Sequence, residues 1–263
     1  ASLAGGFGKV FLSQDHQEVG VNGGDKFPVW AQVSATWSDI GNAESRYFIG
    51  SVGAHATLTP NLLLGATLQF DQAVQEEGAT RIEGTGWMVG PYFVAQWPGQ
   101  PLFLDGRFLY GQADNELRQN GEAADKFDSE RLLAQAKLSG VMAYGETKLI
   151  PSLRASYYSD TQKAFTDNLG NAVGQQKAEA AQVELGLGFE TPAPFTIGEG
   201  LLLLNGEARG VTSFTNSPGN ASSDVDEARG RLDFGFSYLT DRGQLSLNTF
   251  YEGIGAGNFD SYG

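Results

Sequence analysis

Residues 62–71 read LLLGATLQFD, and this stretch decides the fold class because its apolar and polar side chains alternate. Leu64 and Phe70 fall on one face of an extended chain, whereas Thr67 and Asp71 fall on the other. That two-residue period is typical of a β-strand whose two faces meet different surroundings. A helix would repeat its apolar positions every three to four residues instead. The stretch therefore predicts a strand with one apolar and one polar face.

The same alternation recurs in segments of about ten residues along the chain, and no segment keeps a helical period. Eleven such segments lie at approximately 29–37, 47–58, 62–72, 84–97, 102–111, 131–144, 148–158, 180–190, 201–211, 229–239 and 244–252. Short connections rich in Pro, Gly and Asn alternate with long polar ones, which lie at 38–46, 73–83, 112–130, 159–179 and 212–228. Antiparallel strands joined in this way predict an all-β, antiparallel transmembrane β-barrel whose short turns face the periplasm.

Composition and charge narrow the function classes. The 263 residues carry a net charge of −14, and −11 of it falls in the five long connections. Such an acidic chain is a poor partner for nucleic acid, whose phosphates need basic residues. The apolar runs are too short for a membrane-spanning helix, and the absence of Cys excludes disulfides and thiol chemistry.

Aromatic residues gather near the predicted strand ends, as expected where rings sit at the level of lipid headgroups. Those near the short turns are Trp30, Trp97, Phe103, Tyr144, Phe189 and Tyr238. Those near the long loops are Trp37, Tyr47, Phe48, Phe70, Trp87, Tyr110, Tyr157 and Tyr251. A soluble β-sandwich is the alternative, but its strands would be shorter and its loops less regularly sorted by length.

Three stretches resemble the translocator β-barrel domain of autotransporters, the type V secretion family. They are residues 52–68 (VGAHATLTPNLLLGATL), residues 101–111 (PLFLDGRFLYG) and residues 149–157 (LIPSLRASY), and the resemblance extends over about residues 28–263. It implies a 12-stranded barrel in the bacterial outer membrane that helps an N-terminal passenger reach the cell surface. It also implies outer-membrane lipid, lipopolysaccharide and the barrel assembly machinery as partners, and we expect a monomer.

The chain departs from this family pattern at its last strand, because residues 260–263 stand where the twelfth strand should begin. We therefore expect a single barrel domain over residues 1–263, in which residues 1–12 form the closing strand between segments 29–37 and 244–252. Residues 13–28 are then a periplasmic connection, and the chain order is circularly permuted. The alternative is that residues 1–28 form the helix that threads the lumen in this family, although several glycines disfavour a helix there.

Charged residues at inward positions of the predicted strands are expected to line the lumen. They are Asp105, Arg107, Lys137, Arg154, Glu184, Glu207, Arg209, Arg231, Asp233 and Glu252. Their signs balance, which favours groups that pair with one another across a narrow wet channel. These charged residues could form a structural lining of the lumen or a ring that sets ion selectivity, and the sequence does not distinguish between the two roles.

No constellation of catalytic residues, cofactor-binding motif or metal-ligand spacing is present in the sequence. Its two histidines, His16 and His55, lie far apart along the chain. We therefore expect no enzyme activity, no cofactor and no metal. The predicted function is that of an outer-membrane barrel without a passenger that forms a narrow passive pore. The alternatives are a plugged membrane scaffold, or a surface protein that binds partners through its acidic loops.

Overall fold

The computed structural model describes residues 29–119, 124–195, 198–216, 228–240 and 243–263. These residues form β1 (Val29–Ile40), β2 (Ala43–Thr59), β3 (Leu62–Glu77), β4 (Thr80–Gln96), β5 (Leu102–Gln119), β6 (Asp125–Gly140), β7 (Met142–Tyr144), β8 (Thr147–Gln162), β9 (Phe165–Thr166), β10 (Ala172–Val173), β11 (Gln176–Pro192), β12 (Leu201–Asn216), β13 (Arg229–Leu239), β14 (Gln244–Ile254) and β15 (Phe259–Tyr262). Within these ranges, no helix has the length and apolarity needed to cross a bilayer.

The strands close into a ring in which each neighbouring pair is antiparallel. The order runs from β11 through β12, β13, β14, β15 and β1 to β6 and β8, and β8 pairs with β11 to complete the circle. The short strand β7 follows β6 and also pairs with β8, while β9 and β10 form a separate hairpin. In the described part of the chain this makes a closed barrel of twelve strands, which confirms the predicted fold class.

The two faces of each strand differ as they do in a membrane barrel. On β5, Arg107 and Leu109 are buried, while Leu104 and Phe108 between and beside them are exposed. Across the barrel, the buried face is rich in Ser, Thr and Arg, and the exposed face carries large apolar side chains. A soluble sandwich would consist of two packed sheets with their apolar faces buried, so the closed barrel and this distribution exclude the alternative of a β-sandwich.

Two of the connections predicted as long loops are paired strands. Residues 38–46 form the ends of β1 and β2 around a tight turn, and residues 73–83 do the same for β3 and β4. Gly41 and Gly78 supply the positive φ that these turns need, at 60° and 59°. The loop prediction was wrong because these strand ends carry exposed polar side chains such as Arg81, while Ala73 and Ile82 are buried inside, so the pattern of an apolar outer face does not continue through them.

The prediction of aromatic belts is correct at some positions and wrong at others. Trp97 and Tyr144 are exposed near the short turns. Trp30 and Phe103, however, turn into the barrel and pack against the buried side chains of Leu63, Tyr92 and Val94. Tyr47, predicted near the long loops, is also buried. A position near a strand end determines how far along the barrel axis an aromatic residue lies. Whether its side chain faces inwards or outwards depends on whether it is an odd or an even residue of the strand.

Strand β15 lies between β14 and β1. Tyr262 is the register partner of Trp37 on one side and of Tyr251 on the other. The ring is thus joined at its long-loop end by residues near position 260, where the sequence places the start of the twelfth strand. The predicted closing strand at residues 1–12 and the periplasmic connection at 13–28 lie outside the described residues.

Candidate functional site

The interior of the barrel is the candidate site, because the charged residues predicted to line it lie on the same strand faces as the buried residues. Six of the ten predicted residues are buried, namely Arg107, Arg154, Glu184, Arg209, Arg231 and Glu252. Asp105, Lys137, Glu207 and Asp233 are partly buried. Strand alternation explains this placement, since residues two apart on one strand face the same side. Their role in transport stays a prediction.

Seven of the ten predicted residues, together with Arg229, form one group of ion pairs, which we call the arginine–carboxylate network. Its members are Arg154 on β8, Glu184 on β11, Glu207 and Arg209 on β12, Arg229, Arg231 and Asp233 on β13, and Glu252 on β14. Four of these eight residues are basic and four are acidic. The network therefore carries no net charge when all its members are ionised.

Arg209 is the centre of this network. Its Nη1 lies 2.8 Å from Glu184 Oε2, and its Nη2 is paired with Asp233. Its Nε lies 3.5 Å from Glu207 Oε2, while Glu184 Oε2 also accepts a hydrogen bond of 3.2 Å from Arg154 Nη1. One guanidinium thus links carboxylates of three strands, which its planar array of five N–H donors makes possible.

The other end of the network joins β13 to β14. Arg231 Nη2 lies 2.7 Å from Asp233 Oδ1, and its Nη1 lies 3.3 Å from Glu252 Oε2. Glu252 also pairs with Arg229, whose Nη1 donates to Ser213 Oγ over 2.9 Å. Sequence reasoning missed Arg229, although it lies two residues before Arg231 and so shares its face.

Asp105, Arg107 and Lys137 lie on the neighbouring strands β5 and β6. The strand register places Lys137 directly opposite Asp105 on one side and Arg154 on the other. These three residues therefore continue the charged inner surface from the arginine–carboxylate network towards β5. The strand register shows which of these residues are neighbours, and their role as lumen lining stays a prediction.

A second ionic group, the Arg131 cluster, was not predicted. Arg131 Nη1 donates to both carboxylate oxygens of Asp71, over 2.6 and 2.9 Å, and its Nε donates to Asp160 Oδ2 over 3.0 Å. Tyr47 OH donates to Asp71 Oδ1, and Tyr158 OH donates to Asp160 Oδ2. Arg131 is 1% exposed, so its charge is balanced entirely by neighbouring protein groups.

Glycines on β4 give the Arg131 side chain its path. Strands β4 and β5 lie between β6, which carries Arg131, and β3, which carries Asp71. A Cβ added at Gly86 would lie 2.6 Å from Arg131 Nη1 and 2.9 Å from Asp71 Oδ2. The alternation of residues along β3 and β6 could have indicated that the side chains of Asp71 and Arg131 both face inwards. Their pairing across two strands had no sequence signal.

Apolar side chains surround this cluster inside the barrel. Met88, Leu109 and Leu133 are fully buried on the neighbouring strands β4, β5 and β6. They belong to one packed group that also contains Tyr47 and Tyr158. This part of the interior is therefore packed like a protein core, and the packed group reaches Tyr158 on β8 and Ala180 on β11, two strands that also carry members of the arginine–carboxylate network.

The chemistry that these groups offer is electrostatic. Each carboxylate of the two ionic groups is paired with an arginine, an arrangement that holds the side chains in place. Among the described residues, no three His, Asp or Glu side chains are grouped so as to hold a metal ion. The interior thus presents fixed, mutually compensated charges to anything that enters it.

Comparisons with known proteins agree with this geometry. A family model described as the autotransporter beta-domain matches residues 29–252. The β-domain of the Bordetella autotransporter BrkA is similar in structure, with a TM-score of 0.70 and 14% identity over 89% of this chain and 96% of that one. The translocator domain of NalP from Neisseria meningitidis has a TM-score of 0.65 and 16% identity, covering 89% of this chain and 85% of its own.

The transport unit of the autotransporter AIDA-I from Escherichia coli is also similar. Its TM-score is 0.65 and its identity 13%, over 98% of this chain and 96% of that chain. At these identities the likeness concerns the fold. No curated protein sequence matches the chain.

Proposed function

The chain belongs to the autotransporter β-domain family, and from this premise we propose that it spans the bacterial outer membrane. There it assists the passage of a secreted polypeptide and forms a narrow passive pore. The main support for the proposal is that apolar side chains lie on the outside of the barrel and charged ones inside, the reverse of a soluble protein. Apolar side chains such as Leu104, Phe108 and Leu153 cover the outside, while Arg154 and Glu184 are buried inside. Only a barrel surrounded by lipid gains from that arrangement.

The expected pore is narrow because twelve strands enclose less space than the 16–18 strands of open porins. Its charged wall is electrically balanced, since the arginine–carboxylate network pairs four basic with four acidic residues. Paired charges attract a passing ion weakly. We therefore expect a small conductance with little preference between cations and anions.

A closed membrane scaffold is the second candidate, and one observation favours it. The fully buried side chains of Met88, Leu109 and Leu133 show that one inner wall is packed rather than wet. If this packing extends across the lumen, ions cannot pass. The barrel would then hold its place in the membrane without acting as a pore.

Conductance across planar lipid bilayers separates these two functions. We expect the refolded 263-residue chain to produce small, voltage-independent steps of current with weak ion selectivity. The substitution Arg209→Gln should shift selectivity towards cations, because it leaves the carboxylates of Glu184 and Asp233 uncompensated in the wall. Lys148→Gln is the matched control, since Lys148 pairs with Glu190 in an exposed bridge outside the network.

Absence of steps from a preparation that remains folded would contradict the pore and support the closed scaffold. Unchanged selectivity in the Arg209→Gln protein would contradict the role of the network in the pore. The partners that follow from the proposal are outer-membrane lipid, lipopolysaccharide and the barrel assembly machinery, and the protein should act as a monomer. Fractionation of bacterial envelopes tests the proposed location directly.

A further inference from the structure

An arginine faces outwards near the long-loop end of β2, beside an outward tryptophan. Arg46 faces outwards because Ser45 and Tyr47 on either side of it are buried. Its register partner on β1 is Trp37, which also faces outwards, so their Cα atoms are about 5 Å apart. In the membrane location proposed above, outward tryptophans mark the level of the lipid headgroups. Arg46 then lies at the level of the phosphates of the outer leaflet.

The ion pair of Arg46 is weak. Arg46 Nη2 lies 3.6 Å from Glu76 Oε2, which is the longest of the ion pairs between described residues. Glu76 is held more closely through its other oxygen by Arg81 Nη1. The Arg46 side chain is 52% exposed, and an exposed pair of this kind contributes little to stability. The guanidinium of Arg46 can therefore donate to an anion at little cost.

Three aromatic rings form a continuous outer surface beside Arg46. Trp37 stacks on Tyr262 of β15, with ring centroids 5.9 Å apart. It also meets Phe48 of β2 edge to face, with centroids 6.1 Å apart. Contacts on two sides hold the indole in one orientation, while 37% of Trp37 stays exposed. A fixed and exposed ring of this kind is a surface on which the apolar face of a sugar can pack.

The outer surface of β2 has a shallow depression below these rings, towards the short turns. Gly50 faces outwards between Phe48 and Val52, and no atom lies within 4 Å of the position that a Cβ would take there. Its register partner on β3 is Phe70, which is 57% exposed and forms one side of the depression. A hydrocarbon chain fits this strip with its polar end directed towards Arg46.

Carboxylates just above the rings restrict the kind of anion that can bind. Asp39 is the register partner of Glu44 on one side and of Asp260 on the other, and all three side chains are exposed. Three negative charges beside one arginine disfavour a small free anion. A phosphate is therefore expected to bind here as part of a larger molecule that gains free energy from apolar contacts.

We propose that Arg46, Trp37, Phe48 and Gly50 form a site, the Arg46 site, for the phosphorylated glycolipid of the outer leaflet, which is the lipid A part of lipopolysaccharide. Arg46 pairs with a phosphate, the Trp37 ring packs on the sugar that carries it, and an acyl chain lies over Gly50. These contacts follow the order of the parts of the ligand from headgroup to chain. Phosphatidylglycerol offers a phosphate and chains but no sugar ring, so it should bind less tightly.

Native mass spectrometry of the 263-residue chain in detergent micelles tests the inference, with bis-phosphorylated lipid A as the probe and Mg²⁺ present to screen the carboxylates. Arg46→Gln should weaken lipid A binding about tenfold, as the loss of a charge-assisted hydrogen bond does. Arg46→Lys should retain most of the binding, because it keeps the positive charge. Arg81→Gln is the matched control, since Arg81 is 46% exposed and lies near the long-loop end of β4, away from the rings. It should leave lipid A binding unchanged.

Two tryptophans provide a second matched pair of variants. Trp37 and Trp87 are equally exposed, at 37% and 38%, and both face outwards near the long loops. Trp37→Leu should weaken lipid A binding, whereas Trp87→Leu should not. Folding of each variant is checked by its faster migration on gels before boiling, so a misfolded variant is recognised. The Arg46 variants keep the test decisive if Trp37→Leu fails to fold.

Three results would overturn the inference. The first is equal affinity of lipid A for the unmodified chain and for Arg46→Gln. The second is equal weakening by Arg81→Gln, because the charge of the whole surface would then explain the binding. The third is displacement of lipid A by an equal concentration of phosphatidylglycerol, which would show an ordinary contact with anionic lipid. Failure of the unmodified chain to insert into lipid vesicles would instead contradict the proposed membrane barrel, and the Arg46 site with it.

Discussion

Individual arginines organise the interior of this barrel. Arg209 and Arg131 each contact carboxylates on more than one strand, and both are almost fully buried. A buried guanidinium needs such partners, since removal from water is costly unless its donors are satisfied. Small residues beside these side chains provide the space. Gly86 lies next to Arg131, and a Cβ at Gly186 would come within 2.5 Å of Glu207 Oε1.

The substitution Gly86→Ala tests this at the scale of one residue. The new methyl group would displace Arg131 Nη1 from Asp71 inside a packed wall, and overpacking of this kind costs about 1–3 kcal/mol. We expect a lower midpoint of urea unfolding in detergent micelles. Gly50→Ala is the matched control, because nothing lies within 4 Å of a Cβ there. Equal midpoints for the two variants would contradict the described path of Arg131.

At the scale of elements, strands extend beyond the apolar belt and carry smaller structures at their ends. The β9–β10 hairpin is one of these, and Asp167 organises its turn. Asp167 Oδ1 accepts hydrogen bonds from the backbone N–H of Leu169 and of Asn171, over 2.9 and 2.7 Å. Asp167 Oδ2 accepts a third from the Asn171 side chain over 2.9 Å. An aspartate that bonds nearby backbone N–H groups is a common way to stabilise a turn.

The hairpin should therefore depend on pH. The side-chain hydrogen bond from Asn171, followed by the backbone N–H groups, lowers the pKa of Asp167 from its usual 3.8. A lowered pKa stabilises the hairpin above pH 3.8, and this contribution is lost as the pH falls through the lower value of the folded state. We expect lower protection factors for amide hydrogen exchange, each rate being divided into the intrinsic rate at the same pH, at residues 169–171 under acid conditions and at neutral pH in Asp167→Ala. Exchange unaffected by that substitution would refute the role of the carboxylate.

At the scale of the whole molecule, a closed ring of backbone hydrogen bonds joins all twelve strands in the described part of the chain. No strand can leave without breaking two ladders, which makes unfolding highly cooperative. Strand β15 completes the ring with few residues, aided by the hydrogen bond between Ser38 Oγ and Ser261 Oγ and by the stacking of Trp37 on Tyr262.

The closed ring should resist dodecyl sulfate until heated. An unboiled sample should migrate faster on gels than a boiled one, because the compact barrel survives in the detergent at room temperature. Chain unfolded in urea and diluted without lipid or detergent is the control, and it should migrate as the boiled form does. Identical mobility of boiled and unboiled membrane samples would argue against a stable barrel.

Sequence alone determined the fold class and the direction in which charged side chains point. A period of two residues assigns each side chain to a face, and ten charged positions from Asp105 to Glu252 were placed on the inner face by that rule. Proline and glycine turns separated eleven predicted strands and indicated their antiparallel order, whereas the number twelve was implied by the family resemblance. These features are local, so they can be read without knowing where any strand lies in space.

Only the tertiary structure decided which charges meet. The pairing of Arg131 with Asp71 crosses two intervening strands, and that of Arg209 with Asp233 depends on the register between β12 and β13. It also decided that Trp30 packs inside and that residues 38–46 continue as strands. These ion pairs, the inward packing of Trp30 and the strand extensions depend on register, ring curvature and the reach of side chains across strands. None of these properties produces a repeating pattern in the amino-acid sequence.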